Sequence, residues 1–218
     1  MRRIAALAIL GVVVILLVVA QLVLPSVAAQ RLRDQLAKRG QVLSVHVDAF
    51  PAIKLLWHHA DKVVIRMASY RSATSQLGGQ LAQAGDVGML DASTAVFASG
   101  LLTVRNASLH KRGAQLTGTA NVGLPDLRAA VPFLDNLQPI ASGGGQLTLR
   151  GTATLLGVTA TVDATVSAQQ GRLVVVPNLP FGGFATVTLF DNPHVTVQGV
   201  SASADAGGFT VTATGRLH

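Results

Sequence analysis

The chain changes its hydrophobic period as it runs. Ile4 through Ala20 is uncharged and almost wholly aliphatic, Gln21 interrupts, and Leu22, Val23 and Leu24 resume the run before Pro25. As a helix, those roughly 21 residues would be about 31 Å long, enough to span the hydrocarbon of a bilayer. Arg2 and Arg3 place the amino terminus on the cytoplasmic side, so the remainder is expected to be exported. A cleaved signal peptide is the alternative, with Ser26, Val27 and Ala28 as small residues at the cleavage site, but its apolar core would exceed the usual ~7–15 residues. Residues 1–25 are therefore read as a transmembrane anchor or signal segment, and residues 26–218 as one domain.

Ser26 can cap a second, amphipathic helix with Ala28, Leu32 and Leu36 on one face and Gly40 at its end. The period then becomes 2: Leu43, Val45, Val47 and Ala49 alternate with Ser44, His46 and Asp48, which predicts a half-buried strand. Pro51 suits the first turn of a short helix carrying Ile53, Leu56 and Trp57, and a strand is expected from Asp61 to Tyr70. Residues 72–94 are rich in Ser, Gln, Gly, Ala and Asp and read as a long loop. One strand is expected over 96–109, then a turn at Lys111-Arg112-Gly113 and a strand to Val122. A helix follows from Pro125, with Leu127, Val131 and Leu134 on one face and a kink at Pro132. Gly143 to Gly145 reads as a flexible connection.

The last third is almost pure β pattern. Leu147, Leu149, Gly151, Ala153 and Leu155 alternate with polar neighbours, as do Val158, Ala160, Val162, Ala164, Val166 and Ala168, which predicts a long antiparallel hairpin with one wet face. Further strands are expected at 172–176, 185–189, 194–204 and 209–217. The fold class is thus α+β: a curved antiparallel sheet packed with a few helices, preceded by one transmembrane or signal helix.

Composition narrows the chemistry. Half the 218 residues are hydrophobic and only 12% charged, which excludes a disordered chain. There is no Cys, so thiolate metal sites, disulfides and cysteine nucleophiles are excluded, and all ten acidic residues are Asp, so glutamate-dependent catalysis is excluded too. The net charge of +7 is scattered, with no basic run interleaved with aromatics such as nucleic-acid binding requires. No Gly-x-Ser-x-Gly turn marks a nucleophilic serine. The adjacent His58 and His59 on a helix point about 100° apart and cannot face one metal together. Gly143-Gly144-Gly145 lacks the Lys and hydroxyl residue of a phosphate-binding loop. No catalytic residue, cofactor or metal ligand is expected.

The sheet's apolar face is built largely of Ala, Val and Gly, with Gly151, Ala153, Ala213 and Gly215 among them. Either the helices at Ser26, Pro51 and Pro125 cover it as a filled core, or the small side chains leave a groove wide enough for acyl chains. Such a groove would exchange lipid with a bilayer easily. A 16-carbon chain left in water costs on the order of 13 kcal/mol at about 0.8 kcal/mol per CH₂, whereas transfer from bilayer to groove is close to neutral. Phe50, Ile53, Leu56 and Trp57 are the expected lid, and Val158, Val162, Val166, Phe181 and Phe184 the lining, the last two in the irregular segment 179–184, a groove mouth or membrane contact. The expected partners are a phospholipid or other acyl lipid and the cytoplasmic membrane. The other open reading is an envelope structural or assembly protein with a solid core and a protein partner.

Phe50-Pro51 followed by Ile53, Leu55 and Leu56, then Asp61, Val63 and Ile65, resembles the LmeA-like family of actinobacterial envelope proteins. Leu124, Asp126 and Leu127 are similar to that family's central strand-to-helix step, and Val195 to Val200 with Gly207-Gly208-Phe209, Val211 and Thr214-Gly215 to its closing hairpin. The resemblance runs from about Val27 to Leu217. It implies an exported or anchored phospholipid-binding protein with an elongated, curved antiparallel sheet and helices, similar to tubular lipid-binding proteins, and no catalytic residues.

Overall fold

A computed structural model describes residues 2–72, 82, 84–99, 102–130, 135–155, 158–178, 186–205 and 208–218. Side chains are described for these except 2–18, 22, 102, 127, 130, 135, 137, 139, 153–155, 158, 204 and 205. The chain starts with one helix, α1 (Arg2–Ala37). Strand β1 (Gly40–Asp48), a 3₁₀ turn (Ala52–Trp57) and β2 (Ala60–Arg71) follow. A short 3₁₀ turn (Ala84–Asp86) leads into β3 (Val87–Ser99), β4 (Leu102–Arg112), β5 (Gln115–Gly123) and helix α2 (Leu124–Ala130). The rest is β6 (Asp135–Gly143), β7 (Gln146–Leu155), β8 (Val158–Gln169), β9 (Arg172–Pro177), β10 (Val187–Phe190), β11 (Val195–Asp205) and β12 (Gly208–Leu217).

Seven strands form one sheet in the order β1-β2-β3-β4-β5-β12-β11, and five form a second in the order β10-β9-β8-β7-β6. The pairs are antiparallel with one exception among them: β2 and β3 run parallel, so the large sheet is mixed rather than wholly antiparallel. A parallel pair needs a long crossover. The loop expected over 72–94 ends early, because residues 87–94 already belong to β3. Ser, Thr and Asp in β3 hide its pattern, while hydrogen bonding to β2 and β4 on both sides makes it a strand.

The single strand expected over 96–109 is two, with Ser99 closing β3 and Leu102 opening β4. No strand was expected between the helix at Pro125 and Gly143, and β6 forms there although it contains Asn136 and Pro139, residue types that strands disfavour. It lies at the edge of the five-stranded sheet, where a proline costs no ladder bond on its open side. Gly143 ends β6, and Gly144 and Gly145, at φ +60° and +77°, make the hairpin turn into β7 rather than a linker. The long β7–β8 hairpin forms as its alternation predicts, with Gly151 opposite Val162 and Leu147 opposite Val166. Val131, Leu134 and the expected kink at Pro132 lie outside the described residues.

Pro25 does not divide the first helix. Ser26, expected as the cap of a new helix, sits inside α1 and donates its hydroxyl to the Val23 carbonyl at 2.7 Å. A mid-helix proline costs about 3 kcal/mol. Both sides of it are held to the same surface here: Gln21 bonds the loop before the 3₁₀ turn, and Ala28, Ala29 and Leu32 pack on the core of β1 to β3. Among the residues whose side chains are described, which leave out 2–18 of α1, no helix is long and apolar enough to cross a membrane.

The second sheet packs against β11 and β12. Leu147, Leu149, Val162, Ala164, Val166 and Val175 form a buried cluster with Val200, flanked by Ala202 and Val211. The open edge of β11 is closed by hairpin turns of that sheet: the Val200 amide donates to the Gly145 carbonyl at 3.0 Å and the Val197 amide to that of Gly171 at 2.8 Å. Covering an edge this way removes a template for unwanted strand pairing.

Candidate functional site

Because side chains alternate across a strand, the pairing register shows which residues share a face of the large sheet. One row crosses all seven strands: Val45, Ile65, Ala92, Leu109, Gly118, Ala213 and Val200 lie side by side. Every member is apolar. At one end Val45, Ile65 and Leu109 join Ala28, Ala29 and Leu32 of α1 around the buried Val47, Val63 and Leu90, and at the other Val200 belongs to the core under the second sheet. Between the two covers lie Gly118 and Ala213, half-buried and small. The neighbouring positions Ala107 and Ala120 on the same face are also half-buried, while Val211 packs on the core under the second sheet.

Two glycines of this face differ in how closely they are packed. A Cβ built on Gly118 would meet nothing closer than the Ser108 carbonyl oxygen at 3.8 Å, an ordinary contact, whereas one on Gly215 would lie 2.9 Å from the Thr196 carbonyl oxygen. Gly215 is thus required by close backbone packing, and Gly118 is not. The sequence alternation of Leu116, Gly118, Ala120 and Val122 against Gln115, Thr117, Thr119 and Asn121 carries this face, but it acquires meaning only through its strand neighbours.

The strip is closed on the side of the next row. Leu116, Val195 and Leu217 form a buried cluster there, with Leu109 and Phe190 against it. The same row holds Lys111 between Leu90 and Leu116, 2% exposed. Its ammonium donates to the carbonyls of Val87 and Gly85, the latter at 3.3 Å. Burial lowers its pKa, opposed by the nearby Asp86 carboxylate. The Lys111-Arg112-Gly113 pattern suggests only a turn; the burial of Lys111 comes from the register.

The expected lid and lining occupy separate regions. Phe50, Ile53, Leu56 and Trp57 are exposed around the 3₁₀ turn, which packs on α1. Val162 and Val166 are buried in β8, which packs on β7, β9 and β11. Val158 starts β8 with its side chain outside the described ones, and Phe181 and Phe184 lie outside the described residues altogether.

The polar pairs elsewhere are mutually satisfied. Arg150 holds Asp163 through two bonds of 2.7 and 2.9 Å, which lowers the carboxyl pKa. Arg150 and Asp163, with Thr161, Val162 and Asn178, line a shallow depression of about 340 Å³. His110 bonds Asp91 at 2.7 Å, and this bond holds the Asp91 carboxyl below its ordinary range. Among the described residues no three His, Cys, Asp or Glu side chains gather as a metal ion requires.

The model of the LmeA-like phospholipid-binding family matches residues 16–215, nearly all of the folded domain and the end of the apolar run. No curated protein and no solved structure matches the chain.

Proposed function

The chain belongs to the LmeA-like phospholipid-binding family, and from that premise we propose that it is an exported, membrane-anchored lipid carrier of the cell envelope. The apolar run from Ile4 to Leu24 within α1 is the anchor, with Arg2 and Arg3 on the cytoplasmic side and the sheets outside. Acyl chains lie along the half-buried strip between α1 and the second sheet. The observation that carries this reading is the row of apolar positions across all seven strands, half-buried at Gly118 and Ala213 between the two covers. No catalytic step is assigned to any residue.

The test is the phospholipid retained by the full chain after gentle extraction, counted by native mass spectrometry. Gly118→Leu, whose side chain fills the strip, is expected to lose bound lipid several-fold, while Gly118→Ala, which the backbone accommodates, keeps it. Wild-type stoichiometry in a folded Gly118→Leu would remove the strip as the binding site.

A second reading is supported by the packing under the second sheet, where Leu149, Ala164 and Val175 are at most 1% exposed. A core that dry suits an assembly protein with a protein partner. A lipid-free wild-type chain that also takes no lipid from vesicles would favour it.

A further inference from the structure

Four large apolar side chains within eight residues face solvent beside α1: Phe50 is 76% exposed, Trp57 64%, Leu56 60% and Ile53 38%. The segment that carries them is held firmly from below. The Ala52 amide donates to Gln21 Oε1 at 2.7 Å, and Gln21 Nε2 donates to the Ala49 carbonyl at 3.1 Å. On the other side the Phe50 amide donates to Asp61 Oδ2 at 2.6 Å, and Lys54 Nζ reaches Asp61 Oδ1 at 3.2 Å. The turn closes on itself through Lys54 to Pro51 and His58 to Leu55, while Ala52 is buried and Leu55 packs into the core. Backbone groups are thus bonded inward and apolar side chains directed outward. A segment of this construction presents hydrophobic surface in a fixed shape.

Its position identifies what covers it. Gln21 is the first polar residue after the uncharged run of α1, and its two hydrogen bonds fix the segment at the level where that run is interrupted. Val19 and Val23, about 3 Å to either side of Gln21 along the helix axis, are exposed as well. A helix crossing a bilayer with residues 4–20 brings Gln21 to the outer interface. The 50–57 segment comes with it, and an indole beside Phe and Leu is a composition suited to that depth.

We propose that Phe50, Ile53, Leu56 and Trp57 form a wedge inserted into the outer-leaflet interface of the same bilayer that holds α1. The inference rests on the anchor reading above and assigns these four residues to the membrane surface rather than to a lid over bound lipid. With both α1 and the wedge in the bilayer, the domain is attached at two points and held in one orientation.

Trp57 is the sole tryptophan of the chain, so its emission reports the wedge directly. The full chain is reconstituted into phosphatidylcholine and phosphatidylglycerol vesicles, with and without lipids brominated along the acyl chain. The expected result is blue-shifted emission, protected from iodide and quenched progressively as the brominated fraction rises, with most of the quenching lost in Phe50→Ser/Leu56→Ser. Emission that is open to iodide and indifferent to bromine overturns the wedge. So does emission shielded from both, which marks a protein or a second copy as the cover, or quenching that saturates at a single bound lipid per chain. An alkaline wash of the same vesicles reads the anchor separately: protein retained with unquenched Trp57 overturns the wedge alone, and protein released after quenching was seen overturns the anchor alone.

Discussion

The two ends of the large sheet's inner face are covered in different ways. Over β11 and β12 the second sheet interlocks through Leu149, Ala164 and Val175 until almost no surface remains, and its hairpin turns hydrogen-bond to β11 itself. Over β1 to β3 a single helix lies on the strands with Ala28, Ala29 and Leu32, which bury far less, and the adjoining turn leaves four large apolar side chains outside. Both ends have a buried core, but only the helix end, above Val47, Val63 and Leu90, also carries a fixed exposed apolar surface. Between them the strip at Gly118 and Ala213 is half-buried. The driest packing and the largest exposed apolar surface thus lie at opposite ends of one sheet.

The largest expected effect lies at the dense end. Leu149→Ala removes a fully buried side chain and should cost about 2–5 kcal/mol, read as a lowered midpoint in urea. A loss under 1 kcal/mol would mean that the two sheets are not as tightly joined as their burial indicates. At the helix end, Gln21→Ala strips two bonds from the 49–52 backbone and should cost about 1–3 kcal/mol locally. Hydrogen exchange at residues 50–59 should rise and Trp57 anisotropy fall, with the urea midpoint moving less than in Leu149→Ala. Equal global effects from both substitutions would erase the distinction between the ends.

Lys111 tests the boundary between strip and core. Its lowered folded pKa means that the unfolded chain binds more protons as the pH approaches the ordinary lysine value near ~10.4, so its contribution to stability rises with pH through that window. Below the lowered pKa that contribution is lost. Lys111→Met should therefore flatten the alkaline limb of the stability profile. The smallest effect is expected from Asp61, whose carboxyl is held below its ordinary value first by the Phe50 amide and then by Lys54. Its hold on the 50–57 segment is complete above about pH 4 and fades as the pH falls through the lowered folded value. Without vesicles, Trp57 anisotropy should drop over that acid range, and Asp61→Asn should abolish the transition.

Most strands were legible because alternation survives wherever one face is wet: β7, β8, β11 and β12 stand where Val, Leu and Ala alternate with Thr and Ser. The exceptions share a physical cause. β3 and β6 contain Ser, Asp, Asn or Pro at positions that signal loops, and each is a strand because a neighbouring strand supplies its hydrogen bonds. For the site, the small-residue character of the inner face was readable, and Ala213 and Gly215 were identifiable on it. The strip was not, since Ala92, Leu109 and Gly118 are separated in sequence and meet only through pairing. Val162 and Val166 have the same apolar pattern as groove-lining residues, and alternation alone does not distinguish a wall facing a ligand from one facing another sheet.

By itself the sequence determined the apolar amino-terminal run, the shift from helical to strand period, the absence of thiol and glutamate chemistry, and the family likeness carried by Phe50-Pro51 and the closing hairpin. These are local properties, set by each residue type and its nearest neighbours. The tertiary structure alone decided that β2 and β3 run parallel, that Pro25 lies within one helix, that Lys111 is buried, and that Gln21 pins the 50–57 segment. Each of these depends on a partner 20 or more residues away in the chain, and a hydrogen bond or a packed face at that range leaves no periodic trace in the sequence.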